Sequence, residues 1–96
     1  MFQERALKSY IRDDFWKWFN ELPPYAKKQA NKAFEHFVLD VHYPSLHFKC
    51  VNKKRARYSI RINQKGYRAL GYLLDGDIWW YWIGGDHDEY ERKIRE

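Results

Sequence analysis

The sequence predicts an α+β domain in which two N-terminal helices pack on one face of a twisted antiparallel sheet. Three observations carry this. Apolar residues recur at helical spacing as far as Val41, the period changes to two after Pro44, and glycine-bearing turns separate short runs rich in aromatic and β-branched residues. Residues 1–96 read as a single domain, with no linker and no internal repeat. Hydrophobic content of 45% and charged content of 32% fit a folded globular chain and exclude a disordered one.

Leu7 to Ile11 suits a short strand that Asp13 and Asp14 end, and acidic residues there also suit the first turn of a helix. Phe15, Trp18, Phe19 and Leu22 stand at i, i+3, i+4 and i+7, one apolar stripe, and Pro23-Pro24 stops it. A second helix is predicted from about Tyr25 to Val41. Ala26, Ala30, Ala33, Phe34, Phe37, Val38 and Val41 repeat on its apolar side, and the small alanines let it lie close to another backbone.

Beyond Pro44, Leu46, Phe48 and Cys50 alternate with His47, Lys49 and Val51, which makes Cys50 a small core residue. A polar loop, Asn52 to Arg55, leads to Tyr58, Ile60 and Ile62 alternating with Arg57, Ser59 and Arg61. Asn63 to Gly66 is a turn, Tyr67 to Leu74 a strand, Asp75-Gly76 a tight turn and Ile78 to Ile83 the closing strand. These strands form an antiparallel meander. Only one side of the run Trp79 to Trp82 can point inward, so Trp79 and Tyr81, or else Trp80 and Trp82, are expected outside. Asp88 to Glu96 reads as a short amphipathic helix or a frayed tail, anchored by Tyr90 and Ile94.

The formal charge of +5 and pI near 9.4 favour an anionic partner: nucleic acid, ribosome, an acidic protein or a membrane surface. Five Trp, eight Tyr and six Phe are too many rings for so small a core, so some are expected on a working surface. A single cysteine excludes an internal disulfide framework and fits a reducing cytoplasm. Neither a run of membrane-spanning length nor a secretory segment is visible, which makes the cytoplasm the expected location.

Two constellations carry chemistry. Arg57 and Arg61 share a strand face, Lys49 lies on the polar face of the strand before, and Arg68 follows one turn later. The loop Lys53-Lys54-Arg55 adds cations, and Tyr72 and Tyr81 add rings able to stack on unpaired bases. Arginine forks grip phosphate oxygens two at a time. The same residues also read as solvated charges on an exposed sheet face.

The second constellation is His87 with Tyr90, presented after Gly84-Gly85. Cutting RNA with its own 2′-hydroxyl needs a group to take that proton, positive charge for the crowded phosphate, and a donor for the leaving 5′-oxygen. Imidazole both takes and gives protons near neutral pH. Alone, a His-x-x-Tyr also reads as an exposed histidine beside a packing tyrosine. His36, His42, His47 and Cys50 lack metal-ligand spacing, and no phosphate loop, serine elbow or dinucleotide fingerprint appears, so neither metal nor cofactor is expected.

Leu22-Pro23, Pro44-Ser45-Leu46-His47-Phe48-Lys49, Tyr58-Ser59-Ile60-Arg61-Ile62, Tyr67-Arg68-Ala69-Leu70 and Trp82-Ile83-Gly84 closing on His87-Asp88-Glu89-Tyr90 occur in that order from about Lys8 to Tyr90. In this the chain resembles the RelE/ParE superfamily of bacterial toxins. The resemblance implies the toxin of a type II toxin–antitoxin pair, which enters the ribosomal A site, cuts messenger RNA there and is held inactive by a cognate antitoxin. It implies acid–base work by His87, phosphate binding by Arg61 and Arg68, charge stabilisation by Lys49, and orientation or proton donation by Tyr90. Two alternatives stay open. The gyrase-poisoning branch shares the fold without cutting RNA, and an inactive binding module is the other.

Overall fold

In the computed structural model, which describes residues 7–96, the chain runs β1 (Ser9–Ile11), α1 (Phe15–Asn20), α2 (Pro24–Leu39), a 3-10 turn at Pro44–Leu46, β2 (Lys49–Asn52), β3 (Arg57–Arg61), β4 (Arg68–Leu74), β5 (Asp77–Gly84) and α3 (His87–Arg95). The sheet order is β1-β5-β4-β3-β2. Strands β2 to β5 form the expected antiparallel meander, while β1 lies parallel to β5 at the other edge. The α+β class holds, with one parallel pair in an otherwise antiparallel sheet.

Local chemistry explains the helix ends. Asp14 precedes α1, yet its carboxylate accepts from Arg12 Nε (2.9 Å) and caps no helix amide. Pro24 opens α2, where a fixed φ and a missing N–H cost nothing. Ala26, Ala30, Ala33 and Phe37 are the buried ridge of α2, and the alanines bring its backbone down onto the sheet. Val38 does not join them. It is 71% exposed, because it sits one residue past that ridge and faces away.

Two clusters fill the interior. The larger lies between the sheet and helices α1 and α2, and includes Phe15, Phe37, Leu46, Ile60, Ala69, Ile78 and Trp80. Phe34 and Phe37 meet the Trp80 ring edge-on at 5.2 and 5.3 Å. Gly71 makes this fit possible, since a Cβ there would lie 2.9 Å from both Ile78 Cγ1 and Trp80 Cε3. The smaller cluster, on the opposite face, joins Leu70, Tyr81, Trp82 and Tyr90 beneath α3.

Burial on both faces overturns the expectation for the tryptophan run. Leu70 pairs with Trp82 while Gly71 pairs with Trp80, leaving Tyr81 as the extra residue of a β-bulge. The bulge breaks strict alternation. Trp80 keeps to the α2 side, while Tyr81 and Trp82 both enter the α3 side. Trp79 is half-buried and stacks on Tyr10 at 4.7 Å. Cys50 is a second correction: it is exposed, since β2 is an edge strand and it is Phe48 that meets Phe37 (5.1 Å).

Tyr81 carries a pH consequence. Burial, partly opposed by the positive charge of Arg57, pushes its phenol up from 10.0 to about 12. The folded state therefore favours the neutral form. The stability this contributes is complete below pH 10 and is lost as pH rises through about 12. In a spectrophotometric titration the last tyrosine to ionise is expected to do so together with unfolding. A Tyr81→Phe variant should lose that coincidence.

Candidate nucleic-acid interface

Helix α3 decides what the polar sheet face can do. Asp86 caps it, accepting from the backbone N–H of Asp88 (2.9 Å) and of Glu89 (3.2 Å). Glu89 also accepts from Trp82 Nε1 at 3.3 Å. Near the C-terminal end, Tyr81 Oη donates to Lys93 O (2.6 Å) and Asn52 Nδ2 donates to Ile94 O (3.0 Å). The helix therefore crosses the face that the alternation of Arg57, Ser59 and Arg61 marks as open.

The covered face splits the predicted cations into two groups. At one end, Arg61 pairs directly with Arg68 across the antiparallel ladder, and Lys49 pairs with Ser59 one strand over. A groove of about 400 Å³ beside them is lined by Lys49, Cys50, Val51, Arg68, His87, Tyr90, Glu91 and Ile94. A neighbouring hollow of about 280 Å³ is lined by Arg61, Asn63, Gln64, Gly66 and Arg68. Arg68 belongs to both. Thus Lys49, Arg68, His87 and Tyr90 meet in one groove, and Arg61 stands in the adjoining hollow.

At the other end, Arg57 pairs with Tyr72. Its guanidinium lies 5.1 Å from the Tyr72 and Tyr81 ring centres, and its Nε donates to Glu96 O at 3.1 Å. Tyr81 is only 4% exposed, so the base-stacking role expected of it is closed off by α3. The Tyr72 ring already carries Arg57 and, at 5.8 Å, Arg12. Lys53, Lys54 and Arg55 are exposed on the β2–β3 turn, where Arg55 N–H donates to Asn52 Oδ1 (3.2 Å). Four positions of β3 separate Arg57 from Arg61, about 13 Å of strand. Arg57 lines neither of these two hollows.

Within the groove the roles differ. The His87 side chain is 77% exposed, with its ring 6.2 Å from Tyr90 and its Nε2 3.6 Å from Glu91 Oε1. Tyr90 is 6% exposed and packs against Trp82, and the Arg68 guanidinium lies 5.3 Å from its ring centre. Tyr90 is thus a floor that holds Arg68 by cation–π attraction. Glu91 is an addition to the predicted set; the sequence signal for it is its place one helical turn after His87, on the same face. Gly84 and Gly85 make room for the protein's own rings: a Cβ would lie 2.7 Å from Trp82 Cζ2 at Gly84 and 3.0 Å from the Tyr67 ring at Gly85.

Arg61 and Arg68 are the unusual pair. Like charges directly opposed on neighbouring strands are destabilising. Among the described residues neither guanidinium has a carboxylate partner. An anion seated between them would relieve that repulsion. Also among the described residues, no group of three or more His, Cys, Asp or Glu is placed to hold a metal ion, and no helix is long and apolar enough to cross a membrane.

A mixed sheet roofed by a short C-terminal helix, with cations and an imidazole meeting at one end, defines a small α+β domain. Solved structures share its fold. The RelB–RelE antitoxin–toxin complex from Methanococcus jannaschii superposes with a TM-score of 0.68 at 15% identity, covering 86% of this chain and 96% of that one. The isolated E. coli RelE toxin gives a TM-score of 0.62 at 15% identity over 94% and 97% of the two chains. YoeB from Staphylococcus aureus, a dimer, gives 0.61 at 15% identity over 86% and 100%. No protein-family model and no curated relative matches the chain. The chain has the RelE toxin fold.

Proposed function

We propose that this chain is the toxin of a type II toxin–antitoxin pair, a ribosome-dependent endoribonuclease that arrests translation by cutting messenger RNA in the A site. The observation that carries the reading is the cross-strand pair Arg61 and Arg68, which has no acidic partner among the described residues, beside the groove of Lys49 and His87. A scissile phosphate bridging the two guanidiniums has its negative charge met as it grows in the crowded transition state. Lys49 adds charge from the facing strand. His87, exposed at the groove rim, takes the 2′-hydroxyl proton or supplies the one that leaves with the 5′-oxygen. Tyr90 acts by holding Arg68 in place.

Several similar structures are complexes with a RelB antitoxin, which supports a cognate antitoxin here. A net charge of +5 suits an acidic partner segment, and the cytoplasm is where ribosomes would be met.

Induction of the chain in a growing culture, followed by primer extension of transcripts, tests the reading. Growth arrest with new 5′ ends inside translated frames is expected, and His87→Ala should abolish both. Intact transcripts with DNA-damage signalling would place the chain with the gyrase poisons instead. Harmless expression would leave the inactive binding module.

Glu91 gives a second test. It is the one carboxylate among the described residues lining the groove, and it faces an incoming phosphate. Glu91→Gln is expected to tighten binding of single-stranded RNA about 3-fold at moderate salt, an effect that shrinks as ionic strength rises. Anisotropy titrations at two salt concentrations would show it.

A further inference from the structure

A third hollow adjoins the second of the two described above, on the α2 side of Arg61. It measures about 150 Å³ and is lined by Gln29, Lys32, Ala33, His36, Ser45, Arg61 and Ile62. We infer that it is a distal phosphate subsite, which takes a second phosphodiester of the RNA strand whose scissile phosphate lies at Arg61 and Arg68. The inference rests on the nuclease reading and extends it to substrate length.

Its lining is a donor set. Lys32 offers an ammonium, Arg61 a guanidinium fork, His36 an imidazole and Ser45 a hydroxyl, and no carboxylate is among the lining residues. Gln29 is already oriented. Its Oε1 accepts from Asn63 Nδ2 at 2.7 Å, which commits the acceptor and leaves the amide N–H groups for a ligand. Asn63 is fixed in turn, since its Oδ1 accepts from the backbone of Lys65 (3.0 Å) and Tyr67 (3.2 Å). The His36 ring is held flat against Tyr43 at 3.9 Å.

The hollows form a sequence. Arg61 is shared by the second and the third, Arg68 by the first and the second, and the Asn63–Gln29 bond bridges the second to the third. A strand lying in the groove at His87 would pass Arg68 and Arg61 and then meet Lys32. Its backbone phosphates repeat, so successive cationic hollows suit it better than a single small anion.

The test compares a dinucleotide with a single-stranded RNA of about twelve nucleotides, within the roughly 4–16 that a single-strand binding fold covers. Binding to the purified full chain is followed by fluorescence anisotropy across a salt series. For Lys32→Gln/His36→Gln, affinity for the longer RNA should fall about 5-fold and its salt slope should shrink by about 0.7, one phosphate contact. Dinucleotide affinity should stay as it was. Lys28→Gln, an exposed α2 lysine outside the hollow, controls for general charge, and far-UV dichroism checks folding.

A wild-type slope in the double variant, or an equal loss for both RNAs, overturns the subsite while leaving the nuclease reading intact. An effect as large in Lys28→Gln also overturns it, because overall charge would then suffice. Failure of the unsubstituted chain to bind the longer RNA also overturns the subsite, while the nuclease reading stands or falls by the primer-extension test.

Discussion

Replacing Trp80 by alanine is expected to remove much of the molecule's stability margin, lowering the melting temperature by ~12–40 °C. Trp80 is fully buried, wedged edge-on between Phe34 and Phe37, and its Nε1 donates to Ser9 Oγ at 2.8 Å. Large-to-small changes of this kind cost about 3–5 kcal/mol, and each kcal/mol moves the midpoint of a domain this size by about 4–8 °C. Native domains are stable by only about 5–15 kcal/mol, so the loss is a large share. Trp80→Phe separates two contributions: it keeps a ring in the core and removes the bond to Ser9. Its melting temperature should fall far less, while amide exchange along the β1–β5 pairing quickens, including at the β5 residue Ile78, whose N–H donates to Lys8 O (2.9 Å). A melting temperature within a few degrees of wild type for Trp80→Ala would mean that β5 does not anchor both helices.

Side-chain period made most of this framework legible. Phe15, Leu22, Ala26, Ala30 and Phe37 are core residues where helical spacing puts them, and Ile60, Ile62 and Ala69 face α2 as alternation requires. Period says which side a residue faces but not what covers that side. Cys50 stands on an edge strand without a covering layer, and Val38 lies just off the α2 ridge. The bulge at Tyr81 is a backbone event, and no residue type there announces it. Helix α3 is short and mostly polar, so its packing on Leu70 and Trp82 comes from tertiary contact rather than propensity. The signal for its start was present: Asp86 followed three residues later by Glu89.

The candidate site divides in the same way. Arg61 opposing Arg68 follows from the turn at Asn63 to Gly66, which sets the register of β3 and β4. That His87 and Tyr90 join Lys49 and Arg68 depends on α3 folding back over the sheet, which spacing alone does not encode. For the same reason Tyr81 leaves the set of accessible groups and the half-buried Arg57 is engaged by Glu96, since the C-terminal part of α3 closes on them.

Arg61→Gln and Arg68→Gln are each expected to slow RNA cleavage by about 10²–10³-fold, the cost of removing one group aimed at developing charge. If both forks act on one phosphate, the double variant should lose much less than the product of the single losses, because each works through the geometry the other enforces. Stability should move differently in the two. Arg61 has no ion pair or ring contact among the described residues, so removing its charge relieves the cross-strand repulsion and should raise stability by roughly 0.2–1 kcal/mol. Arg68 lies over Tyr90, and losing that attraction, worth about 0.5–1 kcal/mol, offsets the same relief. Arg61→Lys retains charge without the fork and should recover binding before it recovers rate. Activity falling in step with thermal stability would assign both arginines to the scaffold. Activity lost from a protein as stable as wild type, or more so, would assign them to the phosphate.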